Sequence, residues 1–214
     1  MIAVIKGDIV SSRKIENPEK WLTPLKELFN SWGKTPKQWE LVWGDLFQLE
    51  IEHPQFALRK ALLIKTLIKK IELEETKKKT SLIDVRMTIG IGGKNYSGES
   101  ISESNGEAFI HAGDKFEELE KEKSNLLIKS PWKEFDDEIN LYVKLASVFM
   151  DKWTVASAEL VELVLKHTEF TQNEIGKQLG IKQNSVSGRW KRANVDEVLK
   201  VEQTYRSKLE KLLK

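Results

Sequence analysis

Cysteine is absent from the 214 residues, so the chain has no disulfide framework, no thiolate zinc site and no cysteine nucleophile. Long hydrophobic runs are missing too, and nothing approaches the roughly 18 to 20 apolar residues that a membrane span needs. The opening Met1-Ile2-Ala3-Val4-Ile5-Lys6 lacks the basic segment of a secretion signal and reads as a first strand. A cytoplasmic protein is the expectation. Histidine is scarce: His53, His111 and His167 have no ligand spacing to one another, which argues against a zinc site. Gly90-Ile91-Gly92-Gly93-Lys94 lacks P-loop spacing and reads as a strand end and turn. No Ser-His-Asp set can be argued from scattered residues.

What is present describes a globular chain, 40% hydrophobic and 32% charged, long enough to bury a real core. The net charge of +2 is unevenly spread. From Phe170 to Lys214 there are 10 Lys and Arg against 5 Asp and Glu, a net of +5, which leaves residues 1–169 at −3. Any nucleic-acid contact is therefore expected at the C-terminus.

Apolar patterning predicts strands at 2–6, 38–43, 46–52, 82–91 and 126–128, and helices at 18–32, from Pro54 onward, and at 106–122. Asn17-Pro18 opens the first helix as an N-cap and first-turn proline. Lys77-Lys78-Lys79 reads as a solvated helix end. The order β-α-β-β-α-β-α-β is that of a ferredoxin-like split βαβ unit with one more helix and strand, an α+β fold. Every segment after Lys133 reads helical. The expected division is an α+β domain over 1–131 and a helical domain over 132–214, the junction falling later if the first of these helices packs back on the sheet.

Two carboxylates stand out, Asp8 in Lys6-Gly7-Asp8-Ile9-Val10 and Asp45 in Trp43-Gly44-Asp45-Leu46. Each follows a glycine at the end of an apolar run, and Gly-Asp between two such runs is a turn signal. On adjacent strands the pair would emerge at one edge of the sheet, as in proteins that hold Mg²⁺ against a nucleoside triphosphate. Two ordinary turn aspartates are the competing reading.

A second constellation lies near the end. Thr171-Gln172-Asn173-Glu174 is a capping box, the helix it opens stops at Gly180, and another runs from about Gln183 to Ala193. This is helix-turn-helix spacing, over about 171–193. The second helix carries Gln183, Asn184, Ser185, Ser187, Arg189, Lys191 and Arg192, side chains suited to base edges and phosphates of duplex DNA. A plain three-helix bundle with a cationic face is the competing reading. Trp190 is expected in the core, and a last amphipathic helix over 195–213 closes the bundle or pairs two chains.

Four segments in register, Lys6–Arg13, Gly44–Gln48, Arg86–Gly92 and Asn105–Phe109, resemble the SatD family. Its members are similar to class III nucleotidyl cyclases in their first part and carry a helix-turn-helix in their last. The resemblance implies a palm-like sheet, with Asp8, Asp45 and the Ile9 carbonyl around Mg²⁺ or Mn²⁺. It also implies phosphates near Gly44 and the amides of Ser11, Ser12 and Arg13, and a homodimer. Arg86 either points toward those phosphates or pairs with Asp84 or a helix acid, the second being preferred. Ile110 and Asp114 occupy the places where cyclases put an asparagine and an arginine, and a cation is replaced by an acid. His111 or Lys115 would have to substitute. The expected function is a nucleotide- and Mg²⁺-responsive DNA-binding regulator. The alternatives are a metal-dependent nucleotidyl cyclase or nucleotidyltransferase, and an inactive scaffold that binds a protein partner.

Overall fold

Nine residues, Ile2–Val10, form β1 and run well past the expected 2–6. Gly7 and Asp8 are thus inside a strand, not at a turn. Gly7 is needed for packing: a Cβ there would lie 2.5 Å from the Phe47 ring and 2.7 Å from the Arg86 carbonyl oxygen. Gly44, at φ +90°, is the true turn glycine, because left-handed backbone suits a residue without a side chain. It joins β2 (Trp39–Val42) to β3 (Leu46–Ile51). The computed structural model describes residues 1–42, 44–71 and 83–214. Lys77-Lys78-Lys79 lies outside them.

The sheet also contains β4 (Asp84–Gly92) and β5 (Leu126–Lys129), in the order β2-β3-β1-β4-β5. β1 is antiparallel to β3 and β4, β2 is antiparallel to β3, and β5 runs parallel to β4. The first four strands follow the split βαβ order expected from the sequence, within a mixed α+β fold.

Strand alternation sends Ala3, Ile5, Phe47, Leu49, Val85, Met87 and Ile89 into one apolar face, where all are buried. Helix α1 (Glu19–Asn30) covers part of it, with Phe29 5.2 Å from the Phe47 ring and 5.5 Å from Trp39. The N-cap position falls on Pro18, one residue later than the sequence suggested, and Asn17 Oδ1 accepts from the Glu19 amide at 3.0 Å. Helix α2 (Ala57–Lys69) covers the rest and is buried along nearly its whole length, Lys65, Thr66 and Lys69 included. The sequence pattern predicts an apolar stripe of Phe56, Leu58, Ala61, Leu62, Ile64, Lys65 and Ile68 there, and burial extends beyond it. The reason lies in four C-terminal helices: α4 (Lys133–Met150), α5 (Val155–Lys166), α7 (Gln183–Ala193) and α8 (Val195–Leu212). Their buried side chains join the same apolar cluster as the sheet. Helix α4 packs back on β5, where Asn140 both donates to and accepts from the Ile128 backbone at 2.8 Å. Helix α8 closes the bundle: Tyr205 stacks near Phe135 at 5.7 Å and donates to the Pro54 carbonyl at 2.8 Å.

Helix α3 (Glu107–Glu122) lies on the opposite face, over Val4. Gly90 and Gly92 permit its close approach. A Cβ on Gly90 would sit 2.2 Å from the Ala108 carbonyl oxygen and 2.3 Å from the Ala112 nitrogen, atoms of a backbone that cannot yield cheaply. Gly90→Ala should therefore lower stability by about 1–3 kcal/mol in urea unfolding. Gly113→Ala, on the same helix with open space around it, should raise stability by about 0.5–1 kcal/mol.

Candidate functional site

The sheet brings the two sequence-selected carboxylates to one end. Asp8 lies opposite Leu46 across the β1–β3 ladder, one residue from Asp45, so neighbouring strands place their backbones about 5 Å apart. Asp8 also lies opposite Arg86 of β4. The Arg86 guanidinium grips it, Nε donating to Oδ1 at 3.0 Å and Nη2 to Oδ2 at 2.6 Å. The sequence reading preferred Asp84 or a helix acid for Arg86, and Asp8 is a partner it did not name. The side chains of Asp84 and Arg86 part because Asp84, at the strand start, is taken by Lys65 at 2.9 Å and Lys69 at 3.3 Å.

Beyond β1 the chain turns sharply. Ser11 is left-handed at φ 63°, and Ser12–Lys14 makes one 3₁₀ turn. That turn presents the Ser12 hydroxyl to Asp45, donating to Oδ2 at 2.5 Å. Ser11, Ser12, Arg13, Gly44, Asp45, Asp8 and Arg86 therefore belong to one corner of the molecule. Ile9 sits in the β1–β4 ladder opposite Val85, its side chain buried.

The chemistry of this corner follows from its donors. Among the described residues, no group of three or more His, Cys, Asp or Glu is arranged to hold a metal ion. Two carboxylates suit an ion such as Mg²⁺ that completes its shell with water and phosphate oxygens. They do not make an all-protein cage, and Asp8 is engaged by a cation. The two residues that could replace the cyclase-type cation are engaged by other groups. His111 Nδ1 donates to the Ile91 carbonyl at 2.7 Å, and Ile91 faces Ala3 in the ladder. Five residues of strand, about 17 Å, separate Ala3 from Asp8. Lys115 is paired with Glu118 on its own helix, while Ile110 and Asp114 are exposed.

The second region is the helix-turn-helix, made of α6 (Gln172–Gln178), the Gly180 turn and α7. The capping box forms in full, Glu174 N donating to Thr171 Oγ1 at 3.3 Å and Thr171 N to Glu174 Oε2 at 2.7 Å. Those hydrogen bonds hold the Glu174 carboxyl below its ordinary pKa. Gly176 lets the turn fold back: the Ile181 amide donates to its carbonyl at 2.9 Å, and a Cβ there would lie 2.8 Å from the Ile181 carbonyl oxygen. Ile175, Val186 and Ala193 are buried.

Gln183, Asn184, Ser185, Lys191 and Arg192 are exposed on α7, and Ser187 is half-buried. Gln183 is held by Gln172, its Nε2 donating at 2.8 Å. Arg189 differs, lying 3.6 Å from Glu159 of α5 with its side chain largely covered. Trp190 is half-buried against the core, and its Nε1 donates to Asp196 at 3.0 Å. Lys177 and Lys182, exposed at the end of α6 and just before α7, were passed over in the sequence because neither lies within the second helix.

A model of the SatD family matches residues 1–209. No curated protein matches the chain.

Helix α5, which supports α6 and α7, is fastened to α2 by Glu162, which accepts from Lys70 at 2.5 Å and Lys166 at 2.9 Å. Burial pushes the Glu162 carboxyl upward, but the two lysines outweigh it and leave the pKa below 4.5. A depressed carboxyl pKa stabilises the fold above the unfolded value and loses that contribution as pH falls through the folded value. Glu162→Gln should cost about 1–3 kcal/mol at neutral pH. It should also flatten the decline in stability below pH 4.5, as followed by urea unfolding at several pH values.

Proposed function

The chain belongs to the SatD family, and from that premise we propose that it is a DNA-binding regulator whose sheet corner takes a Mg²⁺-bound nucleotide. The observation that carries the reading is the face of α7. Asn184, Lys191 and Arg192 are exposed there, flanked by Gln183, Ser185, Lys177 and Lys182. Amides, hydroxyls and cations of this kind read base edges and neutralise phosphates. Gly188 lies between them in mid-helix, where a glycine costs roughly 0.5–1 kcal/mol against alanine. Its Cβ would meet nothing closer than an Arg192 nitrogen at 3.3 Å, so internal packing does not demand it. Close approach of a nucleic-acid backbone would. Arg189 supports the helix through Glu159 in this reading.

In fluorescence anisotropy the protein should bind duplex DNA with an affinity that falls steeply as salt rises. Lys191→Ala with Arg192→Ala should weaken binding on all sequences and reduce the log–log salt slope by about 1–2. Absence of salt-sensitive duplex binding by the parent protein would sink the regulator reading.

The nucleotide arm is supported by the convergence of Asp8, Asp45 and Ser12, and by Arg86, a cation suited to phosphate as well as carboxylate. A bound triphosphate would draw Arg86 from Asp8 and leave both carboxylates to the divalent ion. Arg86→Ala should then tighten Mn²⁺ binding without nucleotide and weaken binding of a nucleoside triphosphate, both by titration calorimetry. Asp8→Asn should weaken both. Pyrophosphate release that disappears in Asp8→Ala would favour the enzyme reading instead, whereas the engagement of His111 and Lys115 by other groups speaks for binding without turnover.

A further inference from the structure

Helix α4 buries Phe135, Ile139, Val143, Ala146 and Met150 against the rest of the chain, as an amphipathic helix should. Its opposite side is not polar. Leu141, Leu145 and Val148 are 55%, 60% and 62% exposed, and the spacing i, i+4, i+7 aligns them in one outward stripe. Single exposed apolar residues need no explanation, but three in line on one helix do. At the start of the stripe Lys133, Glu134 and Asp137 are exposed, Lys133 holding Asp137 at 2.7 Å, and Lys152 is exposed just past the end, so the start keeps one excess carboxylate and the end one cation.

We propose that this face of α4 is where two copies of the chain pair, with the helices antiparallel. A twofold axis between Lys144 and Leu145 sets Leu141 of one copy against Val148 of the other and brings the two Leu145 side chains together at the centre. The same axis places Asp137 of each copy against Lys152 of the other. A stripe whose apolar middle and charged ends all match under one rotation is complementary to itself, as an isologous interface must be. One helix face covers less than the roughly 800 Å² per partner of a standard stable interface, so the pairing is reversible and of about micromolar strength. Its geometry also bears on α7. Trp153, immediately after the stripe, donates from Nε1 to the Ala193 carbonyl at the end of α7, at 2.9 Å, so the pairing helix and the exposed helix move as one piece.

Sedimentation velocity of the full chain over about 1–100 µM tests this independently of any DNA or nucleotide binding. The expected result is a monomer–dimer equilibrium whose dissociation constant rises about 30-fold or more in Leu145→Glu, the effect of removing a central contact. Asp137→Lys and Lys152→Asp should each weaken pairing several-fold, and the double exchange should restore it. All three positions are exposed, so circular dichroism should show an unchanged fold. A monomer at every concentration, or a dimer indifferent to Leu145→Glu, overturns the proposal. So does a double exchange no better than its parts, or a stripe that binds only another protein.

Discussion

The arrangement depends on a buried knot of charge between the sheet and the C-terminal helices. Lys65, its side chain 2% exposed, places its ammonium 2.9 Å from Asp84 and 2.6 Å from Asp151. Lys69 reaches Asp84 at 3.3 Å and the Asp151 carbonyl at 2.7 Å, and Asn125 donates to Asp151 at 2.9 Å. Withdrawing such groups from water costs several kcal/mol each, and mutual attraction recovers little beyond that. The knot therefore adds little net stability but makes departure from this arrangement expensive. A shift of α2 relative to β4, or of the α4–α5 corner relative to either, would leave a charge buried without its partner. The same restraint fixes the start of β4, and with it the position of Arg86 opposite Asp8.

The elements themselves were largely written in local sequence. Period-two alternation placed the strands, the Asn17-Pro18 and Thr171–Glu174 caps placed helix starts, and the Gly44 turn and the helix-turn-helix were read from a few residues each. These features are legible because the physics behind them is short in range. The failures are long in range. Gly7 looked like a turn residue, and only the Phe47 ring on another strand explains it. Helix α2 showed only an apolar stripe because the helices that cover its other side, α5 and α8, begin more than 80 residues later.

The candidate sites divide in the same way. That Asp8 and Asp45 would meet followed from predicting adjacent strands. Arg86 gripping Asp8 did not, since Asp84 stood nearer in sequence and its capture by Lys65 and Lys69 could not be foreseen. On α7 the exposed polar residues were recognisable from composition, whereas the engagement of Arg189 by another helix was not. Helical spacing turns it toward α5, where Glu159 meets it. An acid about one turn into a different helix, 30 residues earlier, leaves no mark near Arg189 in the chain.

These contacts constrain how a ligand at the sheet corner can influence the helix-turn-helix. Asp84 ties β4 to α2, Glu162 ties α2 to α5, and α5 carries α6 and α7. Physical continuity is not coupling, because a ligand shifts an equilibrium only if it binds two arrangements unequally. At the corner Arg86 holds Asp8, and a phosphate bound as proposed would compete for it. Arg86 stands two residues from Asp84, and a change in its engagement acts on the strand end that Lys65 and Lys69 hold. The stiffness imposed by the buried charges then works against a graded response. Either the knot stays closed and the corner is a site without consequence for α7, or it opens as a unit and α5 is released with it.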